Sequence, residues 1–136
     1  MPVVQHLDDD PSGLAMMLGG LIEANLESHP ERRELLKRGV VALVVTDAEV
    51  AITIRLAPRL VTIAAGITGR PQIVIRTDIA TLTDLTSTPL RFGLADPATA
   101  EGRAVLGKLR SGELKVSGMV RHAALLSRIN RLLSIA

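Results

Sequence analysis

The stretch VVALVVTDAEVAITIRLAPRLVTIAAGI, residues 40–67, decides the fold. Within it, residues 49–56 alternate strictly between aliphatic and polar or small side chains, a period of two that predicts a half-buried β-strand. The aliphatic members of this strand are Val50, Ile52, Ile54 and Leu56. The β-branched run 40–46 precedes it and the run 60–67 follows it, so we expect three neighbouring strands joined by short turns.

Two further strands are predicted outside this stretch. Residues 72–77 form another β-branched run, with Pro71 at its start, where proline is tolerated. Residues 113–117 alternate between two glycines. Because the first three connections are short, the sequence predicts an antiparallel meander rather than a parallel sheet.

Helical periodicity flanks the strands on both sides. Apolar residues recur at helical spacing after Asp10-Pro11, and again in the segments 78–85, 99–111 and 120–133. The prediction is one α+β domain over residues 1–136, with residues 1–10 as a flexible leader. Its five-stranded, mainly antiparallel sheet would be covered on one face by four to five helices, in two layers.

Composition excludes several classes of protein. Apolar types make up 47% of the 136 residues, but aromatics only 1%, and there is no Cys. Disulfide scaffolds and thiol chemistry are therefore excluded, and nucleic-acid binding is not expected without aromatic stacking platforms. The charge-free stretches are too short to span a bilayer, and we expect a cytoplasmic protein.

The net charge of +2 is unevenly distributed along the chain. Residues 1–68 hold six basic and nine acidic side chains, whereas residues 69–136 hold ten and five. The basic half could favour an anionic head group or transient contact with an anionic membrane surface. A solvated basic helix face is the simpler interpretation of the same pattern.

No pattern in the sequence indicates catalysis. Nucleophile elbows, phosphate loops, dinucleotide glycine patterns and zinc-protease spacings are all missing. The three histidines, His6, His29 and His122, have no second imidazole at ligand spacing. We therefore expect no enzyme activity, no catalytic residues, no metal and no cofactor.

From Thr77 onward the sequence resembles the sterol carrier protein type-2 family, as a small stand-alone bacterial member would. The resemblance is carried by the strand 73–77 with its Asp78 cap, by the segment Gly112-Glu113-Leu114-Lys115-Val116-Ser117-Gly118, and by the amphipathic segment 125–133. The preceding helix and meander fit the same order. The loop 86–98 is longer than the family usually has, and Met119 stands where a polar helix cap is common.

The resemblance implies an apolar cavity between sheet and helices that binds a fatty acid, an acyl-coenzyme A, a sterol or another lipid without catalysis. This resemblance, together with the apolar faces of the predicted helices and strands, gives the expected cavity residues. They are Leu14, Met17, Leu18, Leu21, Ile52, Ile54, Ile63, Phe92, Leu106, Leu109, Leu125 and Ile129. Phe92 would act as a lid. A charged head group would need a cation at the mouth, and the candidates are Arg91, Arg103, Lys108, Arg121 and Arg128.

Two other functions remain open at this point. The chain could be an interaction module of a lipid-metabolism complex, or a homodimer, with a filled core and with the aliphatic run 40–45 exposed at a sheet edge. It could also be an enzyme with an unrecognised site for a lipid-type substrate.

Overall fold

The computed structural model describes residues 3–91 and 94–135. The helices are Gly13–Ser28 (α1), Ile79–Ser87 (α2), Ala100–Ser111 (α3) and Ala123–Leu133 (α4), with a 3-10 helix at Pro30–Leu35. The strands are Val4–His6 (β1), Gly39–Val45 (β2), Val50–Ala57 (β3), Leu60–Ala65 (β4), Ile73–Thr77 (β5), Leu90–Arg91 (β6), Leu94–Ala95 (β7) and Lys115–Ser117 (β8). No helix in this part of the chain is long and apolar enough to cross a membrane.

The predicted α+β class is confirmed, but the sheet differs in two respects. It has six strands, not five, in the order β1-β4-β3-β2-β5-β8, and it is mixed. β2, β3 and β4 form the expected antiparallel meander. β5 does not continue it, since β5 pairs in parallel with β2. β2 is therefore an interior strand, and the run 40–45 does not offer the exposed edge that an interaction module would need.

The connection from β4 to β5 explains the parallel pairing. Residues 66–72 run across the sheet face opposite the helices, over Thr53 and Arg55 of β3. The Thr53 hydroxyl donates to the Gly66 carbonyl at 2.8 Å and accepts from the Thr68 N–H at 2.9 Å. The Arg55 guanidinium donates to the Thr68 carbonyl at 3.2 Å. This polar crossover buries Thr53 completely and brings the chain back to the free edge of β2.

The flexible-leader prediction is wrong for residues 4–6. β1 pairs in parallel with β4, with Val4 opposite Val61 and His6 opposite Ile63. The His6 ring lies beneath α1 at Gly19, where a Cβ would stand 2.9 Å from the ring Nε2. A glycine at this position lets the helix approach the added strand, so Gly19 serves close packing, whereas a Cβ at Gly20 would meet no atom within 4 Å.

Helix boundaries follow local capping. Ser12, rather than Asp10, caps α1 by accepting from the Ala15 N–H at 3.2 Å. Asp78 caps α2 through the Thr81 N–H at 2.7 Å, and Thr99 caps α3 through the Gly102 N–H at 3.0 Å. Each oxygen satisfies one N–H that the first turn leaves unpaired.

The helices cover the aliphatic face of the sheet, as predicted. Across β3 and β4, Ile54 lies opposite Ile63 and Leu56 opposite Val61. Leu18, Ile22 and Leu26 of α1 and Ile129 and Leu132 of α4 are buried in the same cluster. This cluster over the central strands and the β1 side of the sheet is the main hydrophobic core. Burying each of these side chains stabilises the fold by about 1.5–3 kcal/mol.

Candidate ligand-binding cavity

An apolar cavity of about 250 Å³ lies at the β5–β8 end of the sheet, beside the main core. Five elements line it: the sheet edge, the helices α2, α3 and α4, and the small hairpin formed by β6 and β7. Its lining is Ile75, Leu85, Thr88, Leu90, Leu94, Ala95, Pro97, Val105, Leu106, Leu109, Leu114, Val116, Met119, Leu126 and Asn130.

The floor of the cavity comes from the alternation of the two outermost strands. Ile75 of β5 lies directly opposite Val116 of β8, so both side chains point to the helical layer. Leu114, just before β8, is buried beside them. The same period of two that predicted the aliphatic face therefore places these residues under the cavity.

The walls stand apart from this floor because α3 packs against α2 and β7. α3 contributes Val105, Leu106 and Leu109, which recur at helical spacing. The segment 86–98, predicted as a long loop, contains the β6–β7 hairpin, in which Leu90 pairs with Ala95. This hairpin and the following Pro97 close the side of the cavity that the helices leave open.

The mouth of the cavity faces solvent. Three lining residues are partly exposed: Leu94 at 41%, Leu106 at 38% and Met119 at 37%. Val120, next to Met119 in the turn between β8 and α4, is 91% exposed. Apolar side chains therefore surround the entrance.

A small void of about 30 Å³ extends the cavity inward. Ile75, Leu85 and Asn130 line both spaces, and Ile54 and Ile129 line the small one. Asn130 is the polar residue of the three that the two spaces share.

A polar pocket of about 200 Å³ adjoins the apolar cavity at Thr88 and Val105. Asp84, Glu101 and Lys108 line it. The Lys108 ammonium donates to the Thr81 hydroxyl at 2.8 Å and lies 3.8 Å from an Asp84 carboxylate oxygen. With two carboxylates and one ammonium, the pocket is net acidic.

The structure places only some of the expected cavity residues at the cavity. Leu106 and Leu109 line the large cavity, and Ile54 and Ile129 line the small void. Leu14, Leu18, Ile52, Ile63 and Leu125 are buried in the core, Leu21 packs against it half-buried, and Met17 is 49% exposed. Phe92, the predicted lid, lies outside the described residues.

The head-group candidates are spread over the surface rather than gathered at one point. Arg128 donates to the Lys37 carbonyl at 2.8 Å, after the 3-10 helix. Arg103 donates to the carbonyls of Pro97 and Ala98, both at 3.4 Å. Arg91 and Arg121 are exposed. None of these four lines the apolar cavity, and the fifth candidate, Lys108, lines the adjoining pocket instead.

Sequence reasoning missed most of the lining, although part of the signal was present. Ile75, Leu114 and Val116 were recognised as sheet-face residues, but their place under a cavity depends on how far α3 stands from the sheet. Leu90 and Leu94 lie in a loop-like segment without a clear period. Leu85 was predicted on the helical segment 78–85, but not as a cavity residue. Asn130 is a polar residue within the apolar face of α4, and this pattern could have indicated a contact with a ligand.

The fold is similar to that of solved structures. No family model matches the sequence, and no curated protein matches it. The structure is similar to "UbiJ-SCP2 Ubiquinone synthesis protein", with a TM-score of 0.60, 16% identity, and coverage of 88% of this chain and 90% of that one. A solution structure from Thermus thermophilus, described as a candidate sterol carrier protein, matches with a TM-score of 0.41, 18% identity, and coverage of 86% and 88%.

The first of these likenesses, with the TM-score of 0.60, defines the class of fold. It is the α+β fold of the sterol carrier protein type-2 sterol-binding domain, as the sequence resemblance implied. At this level of identity the likeness establishes the fold alone.

Proposed function

We propose that this protein binds an apolar or amphipathic small molecule in the 250 Å³ cavity and carries it without chemical change. The observation that supports this most directly is the lining, which is aliphatic apart from Thr88 and Asn130. The fold, shared with a sterol-carrier-type domain, supports the same proposal.

The size of the cavity bounds its ligand. An engineered apolar cavity of about 150 Å³ is dry and binds benzene. A cavity of about 250 Å³ therefore holds a ring system or part of an acyl chain, and the rest of a longer chain would leave through the mouth. Each methylene removed from water contributes about 0.8 kcal/mol, and micromolar binding corresponds to about 8 kcal/mol. About ten buried methylenes, or an equivalent ring system, would therefore be needed before ordering costs are counted.

Carriage rather than catalysis is supported by the chemistry of the lining. None of the fifteen side chains is ionisable, so none can exchange a proton with a bound molecule near neutral pH. The polar pocket next to the cavity holds Lys108 and Asp84, but Lys108 bonds to Thr81 and ties two helices together. Its role there is structural.

The binding test uses native mass spectrometry of protein purified without detergent, together with titration of an uncharged fluorescent lipid analogue. We expect retained or added ligand mass and saturable binding. Leu109→Trp should fill the cavity and abolish both signals, whereas Leu7→Trp, at a 60% exposed position away from the cavity, should leave them unchanged. Bare polypeptide mass and no titration in the wild type would refute the proposal.

Exchange of the cargo at an anionic membrane is part of this proposal. Met119 and Val120 form an apolar tip at the mouth, and the exposed Arg121 follows directly. An apolar tip with an adjacent cation suits the head-group region of an anionic bilayer. A ligand leaving the mouth would then enter lipid without crossing water.

A further inference from the structure

Only two polar side chains, Thr88 and Asn130, interrupt the lining of the described cavity. The Thr88 hydroxyl donates its proton to the Asp84 carbonyl at 2.6 Å, so towards the cavity it can only accept. Asn130 differs, because an amide carries two N–H donors and a carbonyl acceptor. An amide can form up to four hydrogen bonds, so one partner within the protein does not use all of its donors and acceptors.

The position of Asn130 on α4 makes this capacity relevant to a ligand. Leu126, one turn earlier, lines the same cavity, and Leu133, about one turn later, lines the small void. An aliphatic residue at position 130 would continue that stripe. The amide instead lines both the cavity and the small void, and it is the one polar residue among the three described residues that the two spaces share.

The charges around the cavity discriminate between ligand classes. Among the described residues no cation lines it, and the neighbouring pocket is net acidic because Asp84 and Glu101 outnumber Lys108. Arg103 and Arg128 hold backbone carbonyls elsewhere. A carboxylate placed inside would lose water without gaining a cation, which is costly. A hydroxyl or carbonyl group would lose water but gain a hydrogen bond.

From this arrangement we infer that Asn130 determines the specificity of the cavity: it selects uncharged ligands that carry a hydroxyl or carbonyl group over fatty-acid carboxylates. The inference rests on the proposed binding function and makes it narrower. Asn130 acts by a hydrogen bond to the ligand, and the aliphatic lining supplies most of the affinity.

The test compares four probes with the same number of carbons: 1-octanol, 2-octanone, octanoate and octane. Affinities are measured by displacement of a fluorescent probe from the wild type and from Asn130→Leu. We expect the wild type to bind the alcohol and the ketone about tenfold more tightly than octanoate, and Asn130→Leu to lose about tenfold for them but nothing for octane. Arg131→Leu, at an exposed position on the same helix, is the matched control and should behave as the wild type.

A second readout needs only the wild-type protein. The side-chain amide NMR signals of Asn130 should shift on addition of 1-octanol and remain in place with octane at equal occupancy. Equal binding of octanoate and octanol, or an unmoved amide signal, would overturn the inference while leaving a binding function in place. Failure of all four probes to bind would instead count against the proposed function itself.

Discussion

The ammonium of Lys108 on α3 donates a 2.8 Å hydrogen bond to the hydroxyl of Thr81 on α2. Thr81 is completely buried, and the Lys108 side chain is 28% exposed. The same Thr81 donates its backbone N–H to the cap Asp78, so one residue links the start of α2 to the middle of α3. Because both helices form cavity walls, this polar contact sets the distance between them.

Removing that ammonium should loosen the cavity wall. Lys108→Met keeps the length of the side chain but leaves a buried hydroxyl without its donor, and we expect it to lower the free energy of unfolding by about 1–2 kcal/mol. Urea denaturation measures the effect. Arg110→Met, at an exposed position on the same helix, should change it by no more than about 0.5 kcal/mol.

Replacement of both partners separates the hydrogen bond from other effects. The double variant Lys108→Met/Thr81→Val removes the stranded hydroxyl as well, and should be more stable than the sum of the single changes predicts. Strict additivity would mean that the contact does not hold the helices together.

Stability should depend on the ionised state of Asp78. Hydrogen bonds from Thr81, with a smaller contribution from the positive charge of Lys108, hold the pKa of this carboxyl below its ordinary value of 3.8. A lowered pKa in the folded state means that the stabilisation is complete above the ordinary pKa and is lost as pH falls through the folded value.

Asp78→Asn isolates this dependence, since asparagine also caps helices but does not titrate. Unfolding free energies measured from neutral pH to below 3.8 should fall less steeply with acid in the variant than in the wild type. Parallel pH profiles for the two proteins would rule out a contribution from this cap.

Two glycines with similar backbone angles should respond differently to alanine. Gly118 and Gly112 have φ of 79° and 85°, both in the left-handed region. A Cβ at Gly118 would strike the backbone carbonyl of Gln72, which lies next to β2, whereas at Gly112 the nearest atom is 3.8 Å away. Gly112→Ala should cost about 1 kcal/mol and Gly118→Ala about 3 kcal/mol or more in urea denaturation. Equal costs would show that the backbone moves freely at this turn.

The apolar tip at the mouth should control membrane contact. Val120→Glu places a carboxylate at a 91% exposed site, so it should abolish co-sedimentation with phosphatidylglycerol vesicles yet change the unfolding free energy by less than about 0.5 kcal/mol. Leu7→Glu, also exposed but away from the mouth, is the control. Raised salt should weaken wild-type binding by screening Arg121, and undiminished binding of Val120→Glu would contradict this docking mode.

Much of the fold could be predicted from local sequence because it depends on local periodicity. The alternation in residues 49–56 fixes which side chains face the helices, whatever the strand order is. The caps at Asp78 and Thr99 are short-range hydrogen bonds, and they stand at the starts of the predicted helical segments 78–85 and 99–111. Such features need no knowledge of distant residues.

The sequence by itself determined the class of fold, the aliphatic sheet face and the absence of a recognisable catalytic motif, because these depend on residue type and spacing. Tertiary structure decided that β5 lies parallel to β2, that residues 4–6 join the sheet, and that the cavity lies at the β5–β8 end. These depend on where the crossover 66–72 runs and how far α3 stands from the sheet. Neither the path of this crossover nor the separation of α3 from the sheet is encoded in a local sequence period. For the same reason, Asn130 became a candidate ligand contact only once the tertiary structure placed α4 over the cavity.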